Sequence, residues 1–341
     1  MRTSTAAFLE AKKNPLFLLK HYLRDFFLLS IVNYLLYTFH SPFHFHPQLW
    51  HGFLFLFSIP TGWIIASFLH NTGHGNIKSL FINNFLGEFC GHFVGYGFTN
   101  FILVHTLHHN YSDQQFDPVS PEGMSFLCFA LAPTKYMIAR TKDYLLFVHG
   151  KNKHYKVILN TQTVIFYINL ILRLIFWFLL LGPHFFLFFY LPAVASNILI
   201  LAHINYVCHR DFEDGSVEVF NMDHNLYYKI ANFITIGGYY HKSHHLKLNL
   251  FDPRNYKGKI DRPLLTINPN PAKIPLVERK VSFGNLRASS RSGSWFLRYF
   301  DLDNIWIRPK NVCLKKSTVL CEAQVFMKNT ENNNYGERKH I

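Results

Sequence analysis

Residues 26–77 read FFLLSIVNYLLYTFHSPFHFHPQLWHGFLFLFSIPTGWIIASFLHNTGHGNI and hold not one Asp, Glu, Lys or Arg. At 1.5 Å of rise per residue the run suffices for two membrane crossings of about 20 residues each, broken at residues 40–48 by HSPFHFHPQ. A second pair reads Val157–Leu181 and His184–Val207, with Gly182-Pro183 as the turn and Arg173 the only charge inside it. The pattern predicts four spanning helices in two hairpins. Lys12, Lys13, Lys20 and Arg24 precede the first apolar run and no small-residue cleavage site follows it, so that run is expected to stay in the protein rather than be removed as a signal peptide.

Working outward, the chain has 341 residues, of which only 16% are charged while 49% are hydrophobic and 17% aromatic. That balance argues against a soluble single domain. The net charge of +14 flanks apolar stretches and forms no patch among polar residues, so it is read as a topology signal with some attraction to anionic lipid, and no nucleic-acid partner is expected. Neither hairpin turn carries a Lys or Arg. An integral, multi-pass membrane protein with both termini and the long middle segment in the cytoplasm follows. Cys90, Cys128, Cys208, Cys313 and Cys321 make no C-x-x-C pattern, and no disulfide framework or zinc knuckle is implied. The expected organisation is a cytoplasmic N-terminal segment (1–25), a membrane domain (26–263) and a polar C-terminal tail (264–341), partly disordered, with a surface helix at Phe296–Ile307.

Nine of the 21 histidines fall just beyond the expected crossings. They are His70 and His74; His105, His108 and His109; His209; and His241, His244 and His245. Residues three and four apart share a helical face, so each H-x-x-H-H set turns its imidazoles one way. Neutral imidazole suits zinc, copper, iron or nickel, and nine exceed the four ligands of one tetrahedral ion, which suggests two ions. The groups share a site only if they lie on one side of the membrane. Ser79–Val104, apolar with Glu88 its only charge and with Gly87, Gly91 and Gly95 at helical spacing, is therefore read as interfacial or re-entrant, not as a fifth crossing. His40, His44, His46 and His51 show no such spacing, and they, with His21, His92, His149, His154, His184, His224 and His340, are read as polar residues at interfaces. Asp113, Asp117, Glu122, Asp211, Glu213 and Asp214 are read as solvated loop carboxylates rather than as partners of the imidazoles.

His70-Asn-Thr-Gly-His74, His105-Thr-Leu-His-His109 and His241-Lys-Ser-His-His245 resemble the three histidine boxes of the integral-membrane fatty acid desaturase and hydroxylase superfamily. The resemblance covers about Phe26–Pro253. Gly237-Gly-Tyr-Tyr-His-Lys-Ser-His-His245 is similar to the G-x-x-x-H-N-x-H-H stretch of desaturases, and Asn205 with His209 is similar to the N-x-x-x-H pair of the acyl-CoA branch. Asn71 stands where acyl-lipid desaturases commonly have Asp. Cys208 stands where membrane alkane hydroxylases, which the Asn205–His209 and His241–His245 stretches also resemble, usually have Glu.

The resemblance implies an all-α membrane protein whose four helices carry a cytoplasmic helical cap. In that cap His70, His74, His105, His108, His109, Asn205, His209, His241, His244 and His245 hold two non-haem iron ions. It implies an O2-dependent desaturase acting on a fatty acyl lipid or acyl-CoA, or alternatively a hydroxylase or ketolase of an alkyl, sterol or carotenoid substrate. No H-P-G-G haem motif or ferredoxin cysteine spacing is present, so electrons are expected from an external ferredoxin or b-type cytochrome with its reductase. A His-rich membrane metal-binding, sensor or transport protein is the third reading, disfavoured because these histidines sit at the ends of the expected spans and do not line a path within them.

Overall fold

The computed structural model of the chain describes residues 3–39, 45–114, 116–121, 125–131, 133–211, 216–260 and 265–267. His40, His44, Glu122, Glu213, Asp214 and nearly all of the expected tail from residue 264 lie outside them. The described residues are mostly helical. α1 (Thr3–Lys13) leads into α2 (Phe17–Thr38) and α3 (His51–Gly73), with α8 (Lys153–Phe185) and α9 (Leu191–Cys208) later in the chain.

Two segments, His51–Gly73 and Lys153–Cys208, are long and apolar enough to cross a membrane. The second is one 56-residue run in which Gly182, at φ 74° and ψ 167°, breaks the helix where the turn was expected, and a π-helical turn (Phe186–Tyr190) joins α8 to α9. On α2 and α3 the side chains of Phe27, Leu28, Ile31, Phe53, Leu56 and Phe57 are exposed. So many exposed apolar side chains are unfavourable against water and favourable against lipid.

Polar residues join the helices in pairs. α3 lies on α9 so closely that a Cβ on Gly62 would stand 2.5 Å from the Ala193 carbonyl oxygen. Ser196 Oγ donates to the Ile59 carbonyl at 2.9 Å, and Asn197 Nδ2 donates to that of Gly62 at 3.2 Å. Small residues and side-chain amides are what apolar helices use to associate where burial itself supplies no drive. Between α2 and α8, Asn33 Nδ2 donates to the Leu172 carbonyl and Asn169 Nδ2 to that of Tyr22. Arg173, the lone charge of the second apolar pair, faces into the protein. It is buried, and its Nη2 donates to Asp25 Oδ2 at 2.6 Å and its Nη1 to the Gly95 carbonyl at 3.3 Å.

The stretch read as one interfacial or re-entrant helix is two, α4 (Leu80–Gly91) and α5 (Phe98–Tyr111). Gly95 and Gly97, at φ 80° and 79°, form the bend. Of the three glycines at helical spacing, Gly87 and Gly91 make a close face packed on Phe98 at the start of α5, while Gly95 lies in the bend and off that face. α6 (Phe126–Leu131), α7 (Pro133–His149), α10 (Leu226–Ile234) and α11 (His241–Leu246) complete the helices.

The all-α expectation misses a small antiparallel sheet of β1 (His209–Asp211), β2 (Ser216–Val219) and β3 (Leu265–Ile267), in that order. Strands of three or four residues are too short to leave an alternating signal in the sequence. α11 ends at Leu246, and Asp252 caps a separate 3-10 turn by accepting from the Arg254 backbone N–H.

Candidate metal centre

Each histidine group sits where an element ends or turns. His70 occupies the last turn of α3 and His74 follows as its C-cap. His105, His108 and His109 fill the second half of α5, and His209 opens β1 directly after α9. The six residues of α11 carry the last three. Loops far apart in the sequence hold this assembly shut, with Asn76 Nδ2 within reach of Asn71 Oδ1 and of the Leu248 and Leu250 carbonyls. Asn221 brackets α11 by accepting from the Ser243 N–H and donating to Ser243 Oγ.

All nine histidines singled out by spacing come together, and they do so as two groups. His70, His74, His105, His109 and His244 form one, and His108, His209, His241 and His245 the other, the ligand atoms of each group lying within 4.8 Å of one another. In the first group Nε2 of His105 stands 2.7 Å from that of His74 and 3.1 Å from that of His109, which is itself 3.0 Å from that of His244. In the second, His241 Nε2 is 3.1 Å from both His209 Nε2 and His245 Nε2. Two neutral imidazoles can meet at Nε2 only if at most one of them carries its proton there. Nitrogens about 2.1 Å from a shared ion would be spaced in this way.

Two carboxylates fix the tautomers. His108 Nδ1 donates to Asp117 Oδ2 at 3.0 Å and His209 Nδ1 donates to Asp113 Oδ2. With the proton held at Nδ1, each ring turns a bare Nε2 inward, the arrangement that orients histidine ligands and raises their basicity. His108 Nε2 has no hydrogen-bond partner although it is fully buried, and a buried acceptor left unpaired is costly unless a cation completes it. The donor set therefore fits metal.

Asp113 and Asp117 are not the solvated loop residues that the sequence suggested. Asp117 is 0% exposed and also accepts from the Asp113 and Val119 backbone N–H groups. Asp113 holds φ 59°, a left-handed backbone that Asp tolerates better than most residues. The available signal was two carboxylates four residues apart directly after the second box.

Burial, reinforced by the neighbouring rings, drives the pKa of His105, His109, His241, His244 and His245 well below the ordinary imidazole value, and these rings are neutral at physiological pH. For His108 burial acts in the same direction, but Asp117 and then Asp113 outweigh it and the net shift is upward. Neutral rings are the ligand-competent form.

Asn205 comes to the centre's edge. Its Nδ2 donates to the Leu201 carbonyl, and it lines a cavity together with His70, His105, His241 and His244. The remaining wall is largely apolar, with Ala66, Phe101, Val104, Leu201, Ile204 and Ile236.

His203, which belongs to no pattern in the sequence, stays outside both groups. It is buried with its Nδ1 against the Tyr239 hydroxyl. His46 and His51 pack instead with His184, whose Nε2 accepts from the His46 backbone N–H and whose ring stacks on His51.

The family model described as Fatty acid desaturase matches residues 45–250, a range that includes all three boxes and His209. No curated protein and no solved structure matches the chain.

Proposed function

The chain belongs to the fatty acid desaturase family, and on that premise we propose that it is an O2-dependent membrane enzyme that introduces a double bond into a fatty acyl chain, lipid- or CoA-linked, with two iron ions as cofactor. The observation that carries this reading is the pair of imidazole groups backed by Asp113 and Asp117. His70, His74, His105, His109 and His244 would hold one ion and His108, His209, His241 and His245 the other, with Asn205 at their edge. Bound there, the iron pair supplies the oxidation of an unactivated methylene with O2, which acid–base side chains do not perform.

The protein's share is placement and dryness. The cavity wall formed by Ala66, Phe101, Val104, Leu201 and Ile204 suits an alkyl chain laid past His70 and His241. Asp113 and Asp117 keep the protons of His209 and His108 on Nδ1, so the inward nitrogens stay free to ligate. Burial keeps the other rings unprotonated.

The same reading places α2, α3, α8 and α9 as four spans in two hairpins with both termini and the histidine centre on the cytoplasmic side, the side rich in Lys and Arg. Basic loops there would meet an external electron donor, a ferredoxin or a b-type cytochrome with its reductase.

The test is the lipid profile, by mass spectrometry, of cells producing the chain with a reductase system, set against His108→Ala, together with the iron content of the purified protein. A product lighter by two hydrogens, absent in the variant, and about two irons per chain are expected. A product heavier by one oxygen would replace desaturation with hydroxylation. Active protein with zinc in place of iron would overturn the reading.

A further inference from the structure

α10 ends in a turn that carries an unusual residue. The Thr235 N–H donates to the Ala231 carbonyl and the Gly237 N–H to that of Asn232, both at 2.8 Å. This is the hydrogen-bond pattern of a helix C-terminus whose residue after the cap turns left-handed, a position ordinarily given to glycine. Here it is Ile236, at φ 52°. A β-branched side chain in that region is strained, because its Cβ crowds the backbone.

The turn is held so that the strain has no easy release. The next residue, Gly237, is also left-handed at φ 79°, and a Cβ there would lie 2.7 Å from Asp252 Oδ1. The Thr235 carbonyl accepts from Ser67 Oγ on α3 at 2.7 Å, while Thr235 Oγ1 accepts from the Gly238 N–H at 3.1 Å. Asn232 clamps the other side, donating to the Met222 carbonyl and accepting from the Tyr239 N–H.

What distinguishes Ile236 is where it stands. It is half-buried, five residues before His241, and it lines the cavity that His70, His105, His241 and His244 share. Strain that the surrounding hydrogen bonds hold in place points to a role for the side chain. We propose that Ile236 is a specificity-determining residue, a fixed wall that sets which length of alkyl chain fits against the histidines. The inference rests on the alkyl-chain reading of the cavity given above. Ser67 and Thr235 act through Ile236 as positioning residues, since their hydrogen bond ties the turn to α3.

Thermal stabilisation of the purified, metal-loaded full chain by straight-chain fatty alcohols of graded length tests this without requiring turnover or a particular head group. Wild type is compared with Ile236→Gly, which opens the wall and suits the left-handed backbone, and with Ile236→Asn, which suits the backbone but keeps bulk. The alcohol length that stabilises best is expected to rise by about two to four carbons in Ile236→Gly, because about that many carbon atoms leave the wall, and to move less in Ile236→Asn. Without ligand, Ile236→Gly should melt no lower than wild type. An unchanged optimum length in Ile236→Gly overturns the inference and leaves the cavity reading standing. No stabilisation of either protein by any alcohol overturns both.

Discussion

Two carboxylates decide what the histidines are able to do. Asp117 is sealed from solvent and holds the proton of His108 on Nδ1, which leaves the orphaned His108 Nε2 free for a cation. Asp117→Asn removes the charge with little change of shape, and iron affinity is expected to fall about 10- to 100-fold, read as the metal retained against a graded chelator. Retention equal to wild type would mean that the carboxylate is structural only. The neutral rings give a second prediction, on the metal-free protein. His105, His109, His241, His244 and His245 are lowered by burial from about 6.5, so below that pH the unfolded chain binds more protons than the folded one and stability falls. The raised pKa of His108 opposes this but is one group against five. The melting temperature should drop between about pH 7.5 and pH 5 and stay level above about pH 7.5, and a flat profile would contradict the burial argument. At this scale the sequence revealed the nine imidazoles, because their three- and four-residue spacing is local. It hid Asp113 and Asp117, because a carboxylate after a histidine box reads the same whether it faces water or a ring.

The elements show the same division. Long apolar helices announce themselves by length, and the position of Gly182 as a break was legible from Gly182-Pro183. The bend between α4 and α5 was not, because Ser79–Val104 is apolar enough overall to read as one helix, and what breaks it is a pair of glycines at positive φ seated against Arg173, 76 residues later than Gly97 in the sequence. Nor was the sheet that places His209, whose strand β1 pairs His209 with Val219. The buried ion pair of Lys242 with Glu218, at 3.2 Å, joins β2 to α11 and is equally invisible to local pattern. The close face of α4 offers a controlled test. An added Cβ on Gly91 would lie 2.5 Å from the Phe98 backbone nitrogen and 3.0 Å from the Gly97 carbonyl carbon, whereas one on Gly52, in the first turn of α3, would meet nothing within 4 Å. Gly91→Ala is expected to cost about 1–3 kcal/mol through forced separation of α4 from α5, and Gly52→Ala to be neutral or to stabilise by up to about 1 kcal/mol through helix propensity. Thermal melts in detergent compare the two. Equal behaviour would show that the α4–α5 contact is slack.

Across the whole molecule, a buried cation ties the apolar bundle to the bend beneath the polar centre. Arg173 on α8 reaches Asp25 on α2 and the Gly95 carbonyl in the bend that launches α5, the helix bearing three of the nine histidines. Sequence reading found Arg173 as a lone charge in an apolar run, but its partner is 148 residues away and no local rule selects it. A buried cation whose partner is removed is costly, while removal of both charges together is far less so. Arg173→Met leaves Asp25 with only Arg24, whose side chain is 45% exposed, and strips a donor from the bend. Stability should fall by about 3 kcal/mol, and bound iron should fall with it, because the start of α5 loses its anchor. Arg173→Met with Asp25→Asn removes the uncompensated charge and is expected to recover most of the stability, but less of the iron, since the Gly95 carbonyl still lacks its donor. The double-variant cycle separates these effects, with melting temperature reporting the charge pair and iron content reporting the bend. Additive losses in both readouts would mean that Arg173 and Asp25 act independently and that the bundle does not set the geometry of the centre.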